Sequence, residues 1–317
     1  LQVAEAGLDE VVVVGYGTQR RRDLTGSVAS VSAEDLEEIA VESMDQALQG
    51  LTAGALVKNT SGAPGGGISV RIRGMGSVTS GNEPLFVIDG VPVVNDLGGV
   101  PGTANPLATL SPSNIQSIQV LKDASATAIY GSRGSNGVVL IETKQGNTGR
   151  AQVTFSSSVG ITETARRYNL ISGPEYVRFA DEAAANRGIE DRWPDAPDSY
   201  PSFDWQDAIY QNGLNQNYSL AISGGDDDTR YNVSGNFADE QGVIDNSSFR
   251  RYSFRVNLDQ EVSDDFRVQT NISASRVEYG TIDTGGSGVT RLAIQMPPNL
   301  LAFQEEGDRY TSFSRDT

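Results

Sequence analysis

The sequence predicts an α+β domain followed by the first antiparallel strands of a transmembrane β-barrel, and two observations carry this prediction. Up to about residue 147 the hydrophobic pattern mixes helix and strand signals, whereas beyond residue 150 its period becomes two and stays there. The connections between the later segments alternate between short and long, which is typical of membrane barrels. Only about five strand candidates are present, so we expect an incomplete barrel.

Composition excludes several classes of protein. The chain has 317 residues, a formal net charge of -17, no cysteine and no histidine. Negative charge repels a phosphate backbone, so nucleic acid is not an expected partner. Without thiols or imidazoles, cysteine and histidine nucleophiles and nearly all zinc or haem sites are excluded, and we expect no cofactor and no metal. No stretch approaches the ~18 apolar residues of a membrane-spanning helix.

Turn and capping residues divide residues 25–147 into short elements. Ser32 and Ser43 are suitable first residues for two helices, and Gly50 can end the second. Asp89 and Gly90, between two apolar runs, form the favoured two-residue hairpin turn. The predicted elements are strands over 26–32, 68–74, 115–123 and 137–144, a hairpin over 84–93, and helices over 33–40, 45–49 and 124–131.

Five later segments alternate apolar and polar residues, so that each has one apolar face. Periodicity alone fits a soluble β-sandwich as well as a barrel. The connections favour the barrel, because tight links join the second segment to the third and the fourth to the fifth, while the others are long. The segments are 151–162, 217–223, 230–237, 252–259 and 266–273.

A series of stretches resembles the SusC/RagA-type TonB-dependent outer-membrane transporters. The stretches follow one another in the family's order over nearly the whole chain, so chance similarity is improbable. They are DEVVVVGYGTQ (9–19), DLTGSV (23–28), QALQGLTAG (46–54), RIRGMGS (71–77), PLFVIDGVPV (84–93), VLKDASATAIYGSRGSNGVVLIETK (120–144), and a barrel start with DWQDAIYQNG (204–213) and YNVSGNFADEQGVI (231–244).

The resemblance implies a plug domain seated inside a barrel of about 22 strands. We expect an N-terminal tail with a TonB-box-like segment over residues 1–18, the plug over 19–147, and part of the barrel with long outside loops over 148–317. The protein would lie in the outer membrane as a multi-pass β-barrel, with plug and N-terminus facing the periplasm. Few strands are present, and the sequence begins just ahead of the TonB-box-like stretch without the regulatory-like domain that often precedes it in the family, so we expect truncation at both ends.

The valine run near the start is the expected partner-binding segment. β-Branched residues favour extended backbone, and an extended segment can add as a strand to the sheet of another protein. The resemblance implies that this TonB box is captured by the TonB energy-coupling protein. The alternative is a buried strand of the plug core. The expected residues are Asp9, Glu10, Val11, Val12, Val13 and Val14, with Gly15 and Gly17 turning the chain away.

Three arginines are candidates for a latch between plug and barrel. Arg71 and Arg73 alternate with the apolar face of a predicted strand, and Arg133 lies in a glycine-rich stretch. Inside a polar barrel, arginines can pair with carboxylates of the wall. The alternative is a solvated polar face.

Two other features of the sequence do not indicate ligand sites. The glycine-rich stretch 62–67 lacks the spacing of a phosphate-binding loop. The three acids at 226–228 suit a turn better than a calcium-binding loop.

The function that the resemblance implies is energised import of oligosaccharides or oligopeptides, with a SusD-like surface lipoprotein as lid and outer-membrane lipid around the barrel. The residues that bind substrate are not identified. Trp205 and Tyr210 could stack on sugar rings or anchor at the membrane interface. We expect no enzyme, although a carboxylate-dependent carbohydrate-active protein and a carbohydrate-binding or adhesive β protein of the cell surface remain alternatives.

Overall fold

The structure is a computed structural model, and it describes most of the chain beyond residue 107 together with shorter stretches before it. The described residues are 11–14, 17–20, 28–33, 55–59, 61–72, 74, 82–93, 107–123, 127–189, 193, 195–263, 265–283 and 288–300. Among them, no helix is long and apolar enough to cross a membrane.

A five-stranded mixed sheet, which we call the central sheet, organises the N-terminal part. In spatial order its strands are β3 (Val28–Ser32), β8 (Ile115–Leu121), β9 (Val138–Thr143), β6 (Leu85–Ile88) and β7 (Val91–Val93). β6 and β9 are parallel, and the other neighbours are antiparallel. All the strands predicted for this sheet are confirmed, including the hairpin that turns at Asp89 and Gly90.

The inner strands of the central sheet are buried on both faces. Its strands carry long β-branched and aliphatic runs such as Val138–Thr143, in which all residues but one are buried. One face packs under a second hairpin, formed by β4 (Ala55–Asn59) and β5 (Ile68–Ile72), through Ile68, Val70 and Ile72. The sequence predicted β5 with its buried face but missed β4, whose side chains are mostly exposed or half-buried.

The segment after β8 differs from the predicted helix over 124–131. Residues 124–126 lie outside the described part, and a 3₁₀ helix over Ala128–Gly134 follows Thr127. Gly131 interrupts it with a φ of 60°, a conformation that glycine adopts without strain. The helix was predicted to end at Gly131, but the structure has only a kink there, and the 3₁₀ helix continues to Gly134 before β9 begins. The predicted helices over 33–40 and 45–49 lie almost entirely outside the described residues.

The C-terminal part contains a second five-stranded sheet, which we call the wall sheet. It is an antiparallel meander in sequence order, of strands β10 (Gly149–Thr162), β11 (Gly213–Gly225), β12 (Thr229–Gln241), β13 (Ser248–Ser263) and β14 (Phe266–Gly280). All five predicted segments are confirmed, and each strand extends beyond its predicted limits. The links after β11 and β13 are two or three residues long, as expected.

Burial on the wall sheet is the reverse of that in a soluble sandwich. The apolar residues of alternating positions are exposed, for example Phe155 (65%), Phe254 (49%) and Ile272 (54%). The intervening polar residues of β12 and β13 are buried, for example Asn232 (6%), Ser234 (2%) and Asn257 (0%), whereas most residues of β10 and β14 are exposed. β12 and β13 therefore turn their polar face towards protein and their apolar face outwards.

The longer connections form a compact unit of their own, made of the described residues within 161–214, 241–247 and 280–300. It contains helix α1 (Gly173–Arg187) and the short helix α2 (Val289–Gln295). Helix α1 begins with a capping box, in which the Ser172 hydroxyl accepts the Glu175 N–H and the Glu175 carboxylate accepts the Ser172 N–H. Left-handed Gly188 ends it.

The capping box makes the first turn of α1 sensitive to one hydroxyl. Ser172→Ala should lower the free energy of local opening of α1 by about 1 kcal/mol, measured by amide hydrogen exchange. The hydrogen bonds from Ser172 hold the pKa of the Glu175 carboxyl below its usual value. The capping box therefore stabilises the helix fully at pH values above the usual pKa, and this stabilisation is lost as pH falls through the lowered pKa. Ser199→Ala is the control; an equal effect from both substitutions would contradict the capping role.

Candidate functional site

The buried polar face of the wall sheet lies against the end of the central sheet at which the parallel strands β6 and β9 terminate. Long polar side chains from β13 reach across to loops and strand ends of the N-terminal part. This contact brings together residues more than a hundred positions apart in sequence. We call this group of buried polar contacts the wall contact.

Asp89 is the hub of the wall contact. Its carboxylate accepts hydrogen bonds from the Thr143 N–H (2.8 Å), the Thr143 hydroxyl (2.9 Å) and the Arg255 guanidinium (2.9 Å). The two charged side chains are only 9% and 12% exposed. Asp89 occupies the first position of the hairpin turn with a φ of 47°, which aspartate tolerates better than most residues. The turn therefore fixes the carboxylate where β9 ends and β13 passes.

Asn257 extends the hub along β13. Its side-chain amide donates to the Thr143 hydroxyl (2.9 Å) and to the Lys144 carbonyl (2.8 Å). Thr143 thus donates its hydroxyl proton to Asp89 while accepting from Asn257. The Lys144 N–H in turn donates to the Asn114 carbonyl (2.8 Å), so the chain leaving β9 is held on both sides.

Arg251 makes a second crossing point. Its guanidinium donates to the carbonyls of Ala108 (3.3 Å) and Leu110 (3.2 Å), and it lies 5.7 Å from the centre of the Phe249 ring. The Phe249 ring covers Gly65, where an added Cβ would lie 2.1 Å from the ring. A wall aromatic thus rests directly on backbone of the glycine-rich loop.

A third crossing uses neutral groups. The Ser113 hydroxyl donates to the Asn236 side-chain carbonyl (2.7 Å). A cavity of about 40 Å³ beside it is lined by residues of both parts, among them Asn114, Ser253 and Arg255. Among the described residues, the wall contact therefore consists of hydrogen bonds, one ion pair and the Phe249 ring on Gly65, and the buried apolar cluster around the central sheet contains no residue of the wall sheet.

Glu142 adds an unfavourable charge next to the hub. Burial raises the pKa of its carboxyl group, the Ser117 hydroxyl opposes the rise by donating at 2.7 Å, and the negative charge of Asp89 adds to it. The charged form of Glu142 therefore destabilises the folded N-terminal part. By linkage, this carboxyl favours folding below its usual pKa, and that contribution is lost as pH rises through the raised value.

The arginines predicted as latch residues lie elsewhere. Arg71 is exposed on β5, where its charge offsets part of the burial that raises the pKa of Glu83, and Arg133 is exposed in the 3₁₀ helix. Arg73 lies outside the described residues. Among the described residues, the ion pair across the contact has the opposite polarity, with a wall arginine and an N-terminal carboxylate. The latch role of Arg71, Arg73 and Arg133 stays a prediction.

Sequence reasoning missed Asp89, Thr143, Arg251, Arg255 and Asn257 as contact residues. Asp89 was predicted only as a turn former, Thr143 as part of the strand over 137–144, and Arg255 and Asn257 as polar positions of an alternating strand, while Arg251 was not singled out. The available signal was the kind of polar residue on β13, where Arg251, Arg255, Asn257 and Asp259 share one face. Charged residues in successive inward positions need partners of their own, which indicates protein rather than water on that face.

The predicted TonB box lies in a separate two-stranded sheet. Val11–Val14 forms β1, which pairs antiparallel with β2 (Gly17–Arg20) from Val11 opposite Arg20 to Val14 opposite Gly17. The run is not one of the five strands of the central sheet. Asp9, Glu10 and Gly15 lie outside the described residues. Capture of this segment by a partner stays a prediction.

The aromatic candidates lie among the long connections. The Trp205 indole N–H donates to the Pro297 carbonyl (3.1 Å), and its ring meets Phe203 edge to face at 5.0 Å. The Tyr210 ring lies under the Arg167 guanidinium at 5.7 Å. Both side chains are half-buried, and their contacts are compatible with either predicted role.

The three acids at 226–228 form a turn in which the Asp226 carboxylate accepts the N–H groups of Asp228 and Thr229.

Comparisons with known proteins agree on one family. A family model described as the TonB-dependent receptor plug domain matches residues 20–138. The TonB-dependent receptor P26 of Formosa agariphila is 41% identical over 98% of this chain and 30% of its own length. The TonB-dependent receptor SusC of Bacteroides thetaiotaomicron is 39% identical over 90% of this chain and 28% of its own length. The chain thus spans less than a third of these relatives.

Solved structures give the same result. The RagAB peptide importer in its open-open state matches with a TM-score of 0.79 and 31% identity, over 94% of this chain and 36% of that chain. The siderophore receptor PirA from Acinetobacter baumannii matches with a TM-score of 0.51 at 20% identity, which shows the fold alone.

The ion pair of the wall contact can be tested with a double-mutant cycle. Asp89→Asn and Arg255→Gln should each lower the free energy of opening of β9, measured by hydrogen exchange of its amides, by about 3–5 kcal/mol, because each leaves a buried charge unpaired. The double variant should lose less than the sum of the two. Arg178→Gln, which breaks an exposed pair with Asp198, is the control. Additive losses would show that the pair is not coupled.

The buried carboxyl of Glu142 predicts a pH-dependent gain. Glu142→Gln should stabilise the N-terminal part at neutral pH, because it removes a buried charge beside Asp89, and the gain should shrink as pH falls through the raised pKa and vanish below the usual glutamate pKa. Thermal unfolding of wild type and variant across this pH range measures the effect. Glu182→Gln, on exposed helix surface, is the control. A gain that is independent of pH would contradict the assignment.

Proposed function

Because the chain belongs to the SusC/RagA-type TonB-dependent receptors, we propose that it forms the gated entrance of an energised importer in the outer membrane. In this proposal residues 19–147 are the plug, residues 148–317 contribute to the barrel wall with long outside loops, and residues 1–18 carry the TonB box. The importer takes up oligosaccharides or oligopeptides. The relatives are named as receptors and importers, and we propose no enzymatic activity.

The observation that carries the proposal is the reversed burial of the wall sheet. An outward apolar face with exposed Phe155, Leu220 and Phe254 is costly in water but favourable against lipid. Part of the buried polar face is paired with the plug through Arg255, Asn257 and Arg251. Both properties follow if the sheet is part of a cylinder that has lipid outside and the plug inside.

The polar nature of the wall contact suits a plug that moves. An apolar interface loses its stabilisation when water enters, whereas hydrogen bonds and ion pairs can be exchanged for bonds to water at a modest net cost. The plug keeps its own apolar core around Phe86, Ile118 and Ile141. We therefore propose that a pull separates plug from wall at Asp89 and Thr143 before it unfolds the central sheet. Arg71, Arg73 and Arg133 remain candidates for additional plug-to-wall pairs.

We further propose that the TonB protein captures the tail by strand addition to β1. The β1–β2 sheet has two strands, so one edge of β1 carries no neighbour within the described residues. Main-chain hydrogen bonds transmit force without requiring particular side chains. Asp9 and Glu10 extend the same segment. The remaining partner in the proposal is a SusD-like lipoprotein that closes the outside loops over the substrate, by analogy with the named relatives.

The experiment that tests the proposed function removes the coupling and keeps the fold. Deleting residues 9–14 should abolish energy-dependent uptake of labelled oligosaccharide or oligopeptide in cells, while binding of the same compound to the isolated protein persists. Val12→Pro, which removes one main-chain donor, should act like the deletion, and Val12→Ala should be tolerated.

Two results would contradict the proposal. If the deletion variant failed to fold or to insert, the valine run would be structural. If uptake continued in the deletion variant at the wild-type rate, capture of residues 9–14 could not supply the force. Protease resistance of the plug and heat-modifiable migration of the barrel report folding in both cases.

A further inference from the structure

A groove crosses the outward face of the wall sheet. It has a volume of about 660 Å³ and reaches from Phe155 on β10 to Arg276 on β14. Three aromatic rings form one wall: Tyr218 stacks on Phe237 at 6.3 Å, and Phe237 meets Tyr252 at 5.1 Å. Gly235 lies on the floor, and a Cβ added there would meet no atom within 4 Å. The groove is therefore open to the outside, unfilled where the glycine lies and apolar along its sides.

A row of charged residues follows the aromatic row towards the strand ends that carry the long connections. Asp239 lies two positions beyond Phe237, and Arg250 lies two positions before Tyr252, so the period of two puts them on the outward face. Arg250 donates to Asp239 at 2.7 and 3.1 Å. On β14, Arg276 pairs with Glu278 at 2.7 Å.

The charges of this row alternate and cancel. Two arginines and two carboxylates lie on three neighbouring strands, just outside an apolar groove. A purely anionic head group would meet two carboxylates there, and an uncharged one would leave the arginines without an added partner. A zwitterionic head group offers a phosphate to the arginines and an ammonium to the carboxylates, so it matches both signs.

We propose that this groove binds one zwitterionic phospholipid with an ammonium head group. An acyl chain lies over Gly235 between the aromatic rings, the phosphate binds at Arg276, and the ammonium lies near Glu278 and Asp239. Arg276 is 77% exposed and keeps donors beyond the one that faces Glu278. Aromatic residues between apolar and charged rows are typical of the membrane interface, where head groups lie. The inference rests on the proposed membrane insertion, and it adds a site that insertion alone does not require.

The test measures retained lipid on the membrane-inserted protein after extraction in mild detergent. The protein is incubated with phosphatidylethanolamine, phosphatidylglycerol or diacylglycerol, and bound lipid is counted by native mass spectrometry. We expect one molecule of phosphatidylethanolamine to be retained most strongly, phosphatidylglycerol less, and diacylglycerol least. Arg276→Gln should weaken retention of phosphatidylethanolamine about tenfold, as loss of a charge-assisted hydrogen bond implies.

Gly235→Leu tests the acyl-chain position. The leucine should fill the open space at Gly235 without displacing protein atoms and should abolish retention of all three lipids. Val159→Leu, on the exposed apolar face outside the groove, and Arg187→Gln, on helix α1, are the matched controls and should retain lipid like wild type. Insertion and energised uptake of each variant are measured in parallel, so that failure of the lipid site is distinguished from failure of the proposed function.

Three outcomes would overturn the inference. Equal retention of diacylglycerol and phosphatidylethanolamine would show that the charged row takes no part. Unchanged retention in Gly235→Leu would place the lipid elsewhere on the barrel. Dissociation of a dimer by Gly235→Leu, with lipid retention unchanged, would show that the groove is an interface between two copies of the chain.

Discussion

The structure depends on one constraint, which is that polar side chains on the inner face of the wall sheet must find partners inside the protein. A buried arginine such as Arg255 costs several kcal/mol unless a carboxylate and further hydrogen bonds accompany it. Asp89 supplies that carboxylate, and Thr143 and Asn257 complete the network. The N-terminal part, which carries Asp89 and Thr143, therefore determines the position of the wall strand β13.

The same constraint connects fold to function. In the proposed function, the polar contact between plug and wall is broken and remade without exposing the apolar core of the central sheet. The alternate apolar residues of the wall strands face outwards, where lipid would stabilise them. Under that proposal, gating and membrane insertion are two consequences of a single period-two pattern.

Sequence reasoning reached most of the strands and little of the site. Strands are predictable because apolar periodicity and turn residues such as Asp89-Gly90 act over a few positions. The wall contact joins Asp89 to Arg255 and Thr143 to Asn257 through folding over more than a hundred residues, and no local pattern pairs them. β4 was missed because its burial alternates weakly. The resemblance supplied the predicted TonB box and latch arginines, and neither role follows from the described geometry alone.

The most direct test of the account asks which medium faces alternate residues of one strand. The chain contains no cysteine, so a single cysteine labelled with a fluorophore reports one position. For Phe254→Cys in the membrane-inserted protein, the account predicts quenching by brominated lipid and protection from aqueous iodide. For the neighbouring Ser253→Cys it predicts protection from both quenchers. Quenching of Phe254→Cys by iodide and not by lipid would contradict it.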